Sequence, residues 1–243
     1  MMEKIFLVPG CSHASGAEID GSMESRYNRE HSFGGLLAKK FGYTLVSLAS
    51  NGSTNQTTSR SIIEWIENNY DEELMELFVL VPWTEYTRLE IPSKDPVWYN
   101  EVDINSDWFS KTYHNFFRLN LGLKESDGMP KEYKTYQRFV AENLELFQVI
   151  AANTVLQTQY YLESKNINYL MCNTMTMLER NQFTQFYIDR INHKKYIHAT
   201  NQDESFYIKY KNLGYENPNA EYWHHGQEPH TLYAEELANY ISL

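Results

Sequence analysis

Short apolar runs alternate along the chain with longer stretches in which apolar and polar residues mix. Apolar runs of this length, bounded by Gly, Pro or polar residues, are typical of strands that are buried on both faces of a sheet. They lie at residues 5–8, 44–49, 77–81 and 167–172, and a weaker fifth candidate covers residues 196–198. Pro82 is expected to close the third strand.

Apolar residues at helical spacing fill the intervals between these strands. Ser32 is a predicted N-cap and Gly42 a predicted stop, which together frame one helix. Further helices are predicted at residues 58–69, 136–163, 183–191 and 230–241. Strands that alternate with helices imply a mainly parallel sheet of four or five strands with helices on both faces, which is an α/β fold of three layers.

The regular pattern stops between residues 84 and 134, where Pro and Gly interrupt an aromatic segment. We predict an insertion with short helices here. Its rings follow the third strand and can form a substrate wall or lid, a satellite core, or an oligomer contact. The rings considered are Trp83, Tyr86, Trp98, Tyr99, Trp108, Phe109, Tyr113, Phe116 and Phe117.

Composition narrows the classes of function. With 243 residues, 42% of them hydrophobic, the chain is long enough for one large domain with its own core. A net charge of -11 without a dense basic block argues against nucleic-acid binding. No apolar stretch approaches the roughly 20 residues of a membrane span, and no signal peptide is visible. A soluble protein, cytoplasmic or virion-associated, is expected; a homo-oligomer stays open. Cys11 and Cys172 are expected to be small buried residues rather than a disulfide.

Candidate chemistry begins where the first strand ends, in the octet PGCSHASG. A strand that runs into a Gly-flanked serine can present the hydroxyl as a nucleophile, which makes Ser12 the first candidate. Reacting groups collect at the carboxyl ends of parallel strands. The loop at residues 51–55 and the turn at residues 83–88 follow the second and third strands. The three polar turns are therefore expected to face one crevice.

A serine nucleophile needs a base and a carboxylate that orients the base. The stretch EYWHH, just before the last predicted helix, offers both, since Glu221 stands three residues ahead of His224. His225 competes with His224, because either ring can point inward from an irregular loop. His230 is expected to cap or pack at the start of the helix.

These residues resemble the SGNH hydrolases, also called the GDSL esterase and lipase family. The resemblance spans both ends of the chain in the family's order, with Cys and Glu each replacing an Asp, and it favours His224 over His225. The matching positions are Gly10, Cys11 and Ser12 for the Gly-Asp-Ser block, Gly52 for the second-block glycine, and Glu221, His224 and Ala234 for the fifth block.

The resemblance implies a three-layer flavodoxin-like fold and a serine esterase that needs neither a cofactor nor a metal. Ser12 would attack an ester carbonyl, His224 would take its proton, and Glu221 would orient the imidazole. The backbone N–H groups of Ser12 and Gly52 would bind the oxyanion. Small acyl esters, including O-acetylated carbohydrate, are the expected substrates.

The third block departs from the family, because WTEYTR stands where an Asn usually donates to the oxyanion. Thr84 or Asn55 can replace that donor, or Arg88 can stabilise the charge. Other pocket candidates are His13, Asn51, Trp83, Glu85, Arg88 and His225. For Glu85 a surface ion pair with Arg88 is the alternative. A metal set built from His13, His31, His224, His225 and Asp20 has no recognised ligand spacing. The alternative function is a non-catalytic carbohydrate-binding or assembly protein that keeps the fold.

Overall fold

A parallel sheet of four strands forms the centre of the protein. The computed structural model describes residues 2–92, 116–119, 131–175, 178–217 and 220–241. The strands of this sheet are β1 (Glu3–Val8), β2 (Thr44–Ser47), β3 (Met75–Trp83) and β6 (Asn168–Asn173), in the order β2-β1-β3-β6. All neighbouring pairs are parallel. A second, antiparallel pair joins β4 (Leu89–Pro92) to β5 (Phe116–Leu119).

Helices connect the strands and cover the sheet. They are α1 (Ser12–Ser15), α2 (Arg26–His31), α3 (Phe33–Phe41), α4 (Asn55–Asn69), α5 (Lys131–Glu142), α6 (Leu144–Ser164), α7 (Gln185–Ile188), α8 (Phe206–Asn212) and α9 (Gln227–Ala238). Residues alternate between the two faces of a strand. Leu7 of β1 therefore packs in a core with residues of α4 and α6, and Phe6 in a second core with residues of α3 and α9. The predicted three-layer α/β fold is confirmed.

Capping residues in the sequence predicted both ends of α3 correctly. The Ser32 hydroxyl accepts a hydrogen bond from the Gly35 N–H, and Gly42 ends α3 in the left-handed region at φ 73°. Thr54 caps α4 in the same way by accepting from Thr57. For this reason α4 begins at Asn55, three residues before the predicted start.

Several other predicted boundaries differ from the structure, and two of these differences have a clear physical reason. The helix predicted at residues 136–163 is two helices, α5 and α6, because the backbone at Asn143 leaves the helical region (φ -138°, ψ 41°). Strand β3 continues through Pro82 to Trp83. The Trp83 carbonyl accepts from Thr174 on the β6 side, so Pro82 faces the β1 side. On that side the pairing of β3 with β1 ends at Val79. Pro82, which has no N–H, therefore leaves no hydrogen bond of the sheet unmade.

Most of the predicted insertion at residues 84–134 lies outside the described residues, including Trp98, Tyr99, Trp108, Phe109 and Tyr113. Its described part contains β4, β5 and the start of α5. A substrate wall or lid formed by this segment stays a prediction. The weak fifth strand is reduced to a single parallel bridge between Met171 and Tyr196.

Cys11 and Cys172 are buried and free, as predicted. Burial raises the pKa of the Cys172 thiol to about 12, which keeps it protonated. Across the described ranges, no helix is both long and apolar enough to cross a membrane.

Candidate active site

The loops after β1 and β2 leave the sheet in register with each other. Beyond the strands, Leu48 N–H donates to the Val8 carbonyl at 2.8 Å, and Ser50 N–H donates to the Gly10 carbonyl at 2.9 Å. Ser12 and Gly52 each lie two residues past this last bond. The parallel pairing of β1 and β2 therefore brings the serine and the glycine to the same edge of the sheet, as the sequence predicted.

The turn that presents Ser12 requires a glycine before it. Gly10 has φ 128°, and a Cβ there would lie 2.8 Å from the Ala14 Cβ and 3.0 Å from the Pro82 Cγ. Ser12 then opens α1 and is 7% exposed. Within the described residues its hydroxyl makes no hydrogen bond. The Cys11 Sγ lies 3.5 Å from the Thr174 Oγ1, which ties this turn to the loop after β6.

A buried carboxylate holds His224, and it belongs to Glu18. The Glu18 Oε2 lies 2.6 Å from the His224 Nδ1, and the Glu18 side chain is only 2% exposed. The prediction that Glu221 orients the histidine is therefore wrong. The Glu221 side chain is exposed, and its residue contributes a backbone N–H to Glu18 instead.

Backbone groups fix the Glu18 carboxylate in place. Its Oε1 accepts from the N–H groups of Glu221, at 2.7 Å, and Tyr222, at 3.0 Å. The Asn217 amide also donates to the Glu18 backbone carbonyl at 3.0 Å. The Glu18 backbone has φ 66°, a left-handed conformation that residues other than Gly and Asn rarely adopt. The turn that contains Glu18 is thus joined by hydrogen bonds to the loop that carries His224.

The other histidines of the C-terminal region point elsewhere. The His225 Nε2 lies 3.0 Å from the Tyr207 carbonyl. The His230 Nδ1 accepts from the N–H of Phe33 at 3.2 Å, which caps the start of α3. Contact with Glu18 distinguishes His224 from both as the candidate base.

Burial sets the charge state of His224. It lowers the pKa of the imidazole below its usual range, while the hydrogen bond and the charge of Glu18 raise it and the charge of Arg88 lowers it. The ring is therefore neutral near pH 7. Because Nδ1 donates its hydrogen to Glu18, Nε2 is free to accept a proton.

His13, beside the serine, packs against His224 with ring centroids 5.0 Å apart. Its other ring neighbours are Phe206, Tyr207 and Trp223. Burial, followed by the charges of His224 and Arg88, holds the pKa of His13 well below its usual range. The His13 Nδ1 is buried and has no hydrogen-bond partner in the described structure. The sequence did not reveal this aromatic surround, since α8 was not predicted.

The four predicted oxyanion donors fall into two groups: Ser12 and Gly52, and Asn55 and Thr84, which bond to each other. Among the described hydrogen bonds, neither the N–H of Ser12 nor that of Gly52 has an acceptor. The Thr84 N–H donates to the Asn55 Oδ1 at 2.9 Å, and the Asn55 amide donates back to the Thr84 carbonyl at 3.3 Å. Asn55 and Thr84 therefore hold their two segments together, and the buried Thr84 hydroxyl has no hydrogen-bond partner among the described residues.

The remaining pocket candidates differ in position. Trp83 is 1% exposed and belongs to the core, so its assignment to the pocket is wrong. Asn51 donates its N–H to the Glu24 Oε1 at 3.3 Å and helps to hold the loop after β2. Glu85 forms the alternative ion pair with Arg88, at 3.6 Å. Arg88 is buried.

The residues considered above as a metal set do not form a group of possible ligands in the described part of the chain. Asp20 instead accepts hydrogen bonds from Ser22 and Ser25. One group in the described part of the chain has ligand atoms close enough to share a cation: His198, Glu204 and Glu236. The Lys209 ammonium already lies 2.7 Å from Glu204 and 2.8 Å from Glu236 and offsets part of their negative charge.

Comparison with known proteins finds similarity in structure but not in sequence. No family model and no curated protein matches the chain. A G-D-S-L lipolytic protein from Desulfitobacterium hafniense matches with TM-score 0.42 and 12% identity over 98% of this chain and 99% of that chain. One from Veillonella parvula matches with TM-score 0.46 and 9% identity over 97% of each chain.

A third match is a family 2 carbohydrate esterase with a carbohydrate-binding domain from Corynascus thermopiles. Its TM-score is 0.49 and its identity 10%, over 98% of this chain and 64% of that chain. The matched structures are thus GDSL lipolytic proteins and a carbohydrate esterase. At these identities the similarity concerns the fold alone.

Proposed function

We propose that the protein is a serine ester hydrolase in which Ser12 is the nucleophile and His224 the base. The observation that carries this proposal is the buried hydrogen bond between Glu18 and His224. A carboxylate on Nδ1 fixes the tautomer whose Nε2 accepts a proton, and it stabilises the imidazolium that forms. Such a pair, at the strand edge that also carries the serine, is suited to general-base catalysis.

The reaction would proceed through an acyl-enzyme. The Ser12 Oγ attacks the ester carbonyl and its proton moves to the His224 Nε2. The carbonyl oxygen gains a negative charge, which the free N–H groups of Ser12 and Gly52 stabilise. Collapse expels the alcohol, which takes the proton from His224. Water then attacks the acyl group by the same route and restores Ser12.

Small acyl esters, with O-acetylated carbohydrate among them, are the proposed substrates. Trp223 is 47% exposed, and its ring is parallel to that of His224 at 6.5 Å. Its neighbour Tyr222 is 53% exposed. Exposed aromatic faces beside a reacting group are suited to stack on a sugar ring.

A fluorophosphonate probe with intact-mass readout tests the nucleophile. We expect one adduct on the wild-type protein, no adduct on Ser12→Ala, and an undiminished adduct on Ser15→Ala. Ser15 is a matched control because it is a buried serine of the same short helix. Absence of labelling across the pH range would refute the proposal.

A non-catalytic carbohydrate-binding or assembly protein is the second candidate. It is favoured by the reciprocal bonds of Asn55 and Thr84, which leave the third oxyanion donor of the family without an amide equivalent. Loss of one such donor costs about 10² to 10³ in rate. This candidate predicts that an O-acetylated oligosaccharide binds without being hydrolysed and that no probe adduct forms.

A further inference from the structure

Arg88 places a guanidinium inside the protein at the end of the turn that follows β3. The residue is 4% exposed. Its Nη1 donates to the Ser53 carbonyl at 3.3 Å, and its Nη2 to the Met175 Sδ at 3.4 Å. The cation therefore bridges the loop after β2 and the loop after β6.

The hydrogen-bonding capacity of Arg88 is poorly used. A guanidinium carries five N–H donors, and a thioether sulfur is a weak acceptor. The Nε is buried without a hydrogen-bond partner in the described structure. The Glu85 Oε2 at 3.6 Å is too distant for a hydrogen bond. By contrast, the equally buried Arg29 has the Glu24 carboxylate at 2.8 Å.

The surroundings of Arg88 are those of the candidate active site. Ser53 directly follows Gly52, whose N–H has no acceptor among the described residues. The positive charge of Arg88 lowers the pKa of both the His13 ring and the His224 ring. The cation thus lies near the place where the reaction would create a negative oxygen.

Two hydroxyls of the same turn are also left without partners. The Oγ1 atoms of Thr84 and Thr87 are buried and make no hydrogen bond within the described residues. Buried polar atoms are nearly always bonded, and exceptions call for an explanation. Unused donors in the same turn as an underused guanidinium indicate a binding place for an acceptor that the described residues do not supply.

We infer that Arg88 binds an oxygen anion in this site and so replaces the Asn donor that is missing from the turn after β3. The inference rests on the esterase function proposed above. The anion has two sources: the oxyanion of the tetrahedral intermediate, or a carboxylate carried by the substrate. A guanidinium suits both, because its planar donors match two oxygens of one group.

Kinetics on a neutral and an anionic ester distinguish the sources. Arg88→Gln, Arg88→Lys and the control Arg180→Gln are compared on 4-nitrophenyl acetate and on the 4-nitrophenyl monoester of succinic acid. Arg180 is a partly exposed arginine paired with Asp189. An oxyanion role predicts that Arg88→Gln lowers kcat about 10²-fold on both esters. A carboxylate role predicts a higher KM on the succinate ester alone. Arg88→Lys should keep part of the activity and Arg180→Gln all of it.

Methylphosphonate supplies a readout that does not depend on turnover. It should raise the thermal unfolding midpoint of the wild type and of Arg180→Gln, but not that of Arg88→Gln. If the wild type hydrolyses esters and a folded Arg88→Gln matches it on both substrates, the inference about Arg88 is wrong and the esterase stands. If no fluorophosphonate adduct forms, the esterase proposal is wrong and the methylphosphonate experiment alone tests the anion site. Thermal stabilisation that is lost only in the Arg88 variants supports the site. Stabilisation that is equal in all variants, or absent from all of them, overturns it.

Discussion

At the scale of single residues, the chemistry depends on which carboxylate meets the histidine. Glu18 and Glu221 carry the same side chain, but one is buried against the His224 Nδ1 and the other is exposed. A carboxylate stabilises a nascent imidazolium only when it is desolvated and correctly aimed. Glu18 meets both conditions because backbone N–H groups hold its second oxygen.

Glu18→Gln should lower kcat for a small ester by up to about 10⁴-fold, since an amide NH₂ facing Nδ1 favours the wrong tautomer. Glu221→Gln is the matched control and should retain wild-type kcat, because its backbone N–H is unchanged. Steady-state kinetics on 4-nitrophenyl acetate measures both. Equal losses in the two variants would contradict the role of Glu18.

The pH profile gives a second signature of the same pair. Burial lowers the pKa of His224, so the acid limb of kcat/KM should lie below the usual histidine value of about 6.5. Glu18 raises that pKa, and the residual activity of Glu18→Gln should therefore show an acid limb at still lower pH. Profiles from pH 4 to pH 9 test this; a shift to higher pH would have the wrong sign.

At the scale of elements, the turn after β1 sets the position of the nucleophile. Gly10 accepts a hydrogen bond from Ser50 and lies against Pro82, so the turn contacts the loop after β2 and the end of β3. Its backbone angle and the lack of space at its Cα both exclude a side chain. The close approach of β3 explains why a residue without Cβ is needed here.

Gly10→Ala should destabilise the protein more than Gly42→Ala. Gly42 also has a positive φ, of 73°, but a Cβ there meets nothing within 4 Å. We expect about 1–2 kcal/mol for the strained backbone at Gly42. At Gly10 overpacking should add about 1–3 kcal/mol. Urea unfolding of both variants measures the difference, and equal free energies of unfolding would show that the turn relaxes around the methyl group.

At the scale of the whole molecule, packing the last loop and α9 against α3 and α8 buries several histidines. His230 is an example, with its ring between Phe33 and Phe206. Burial lowers its pKa from 6.5 to about 3. Between these values the unfolded chain binds a proton that the native protein does not. Native stability is therefore fully present above about pH 6.5 and declines as the pH falls.

Protonation of His230 in the unfolded chain should by itself lower the free energy of unfolding by about 2 kcal/mol between pH 7 and pH 5. His230→Phe should show a shallower pH dependence, although loss of the acceptor for the Phe33 N–H lowers its stability at every pH. Urea titrations at several pH values give the slopes; a parallel curve for His230→Phe would contradict the assignment.

Sequence patterns predicted the architecture because strands, caps and stops arise from local chemistry. The apolar run of β1, the Ser32 cap and the Gly42 stop are each recognisable within a few residues. The short helices α1, α2 and α8 were missed because they have too few turns to show a periodic pattern. The break at Asn143 was missed because apolar residues continue across it with helical spacing.

The sequence by itself determined the α/β order of the chain and brought Ser12, Gly52 and His224 to the ends of their elements. These features follow from periodicity and turn chemistry, which neighbouring residues decide. Only the tertiary structure decided which carboxylate meets His224 and that the described residues leave the Arg88 Nε without a hydrogen-bond partner. Glu18 and His224 lie 206 residues apart. No local pattern encodes such a contact, because it exists only where the turn before α2 packs against the loop before α9.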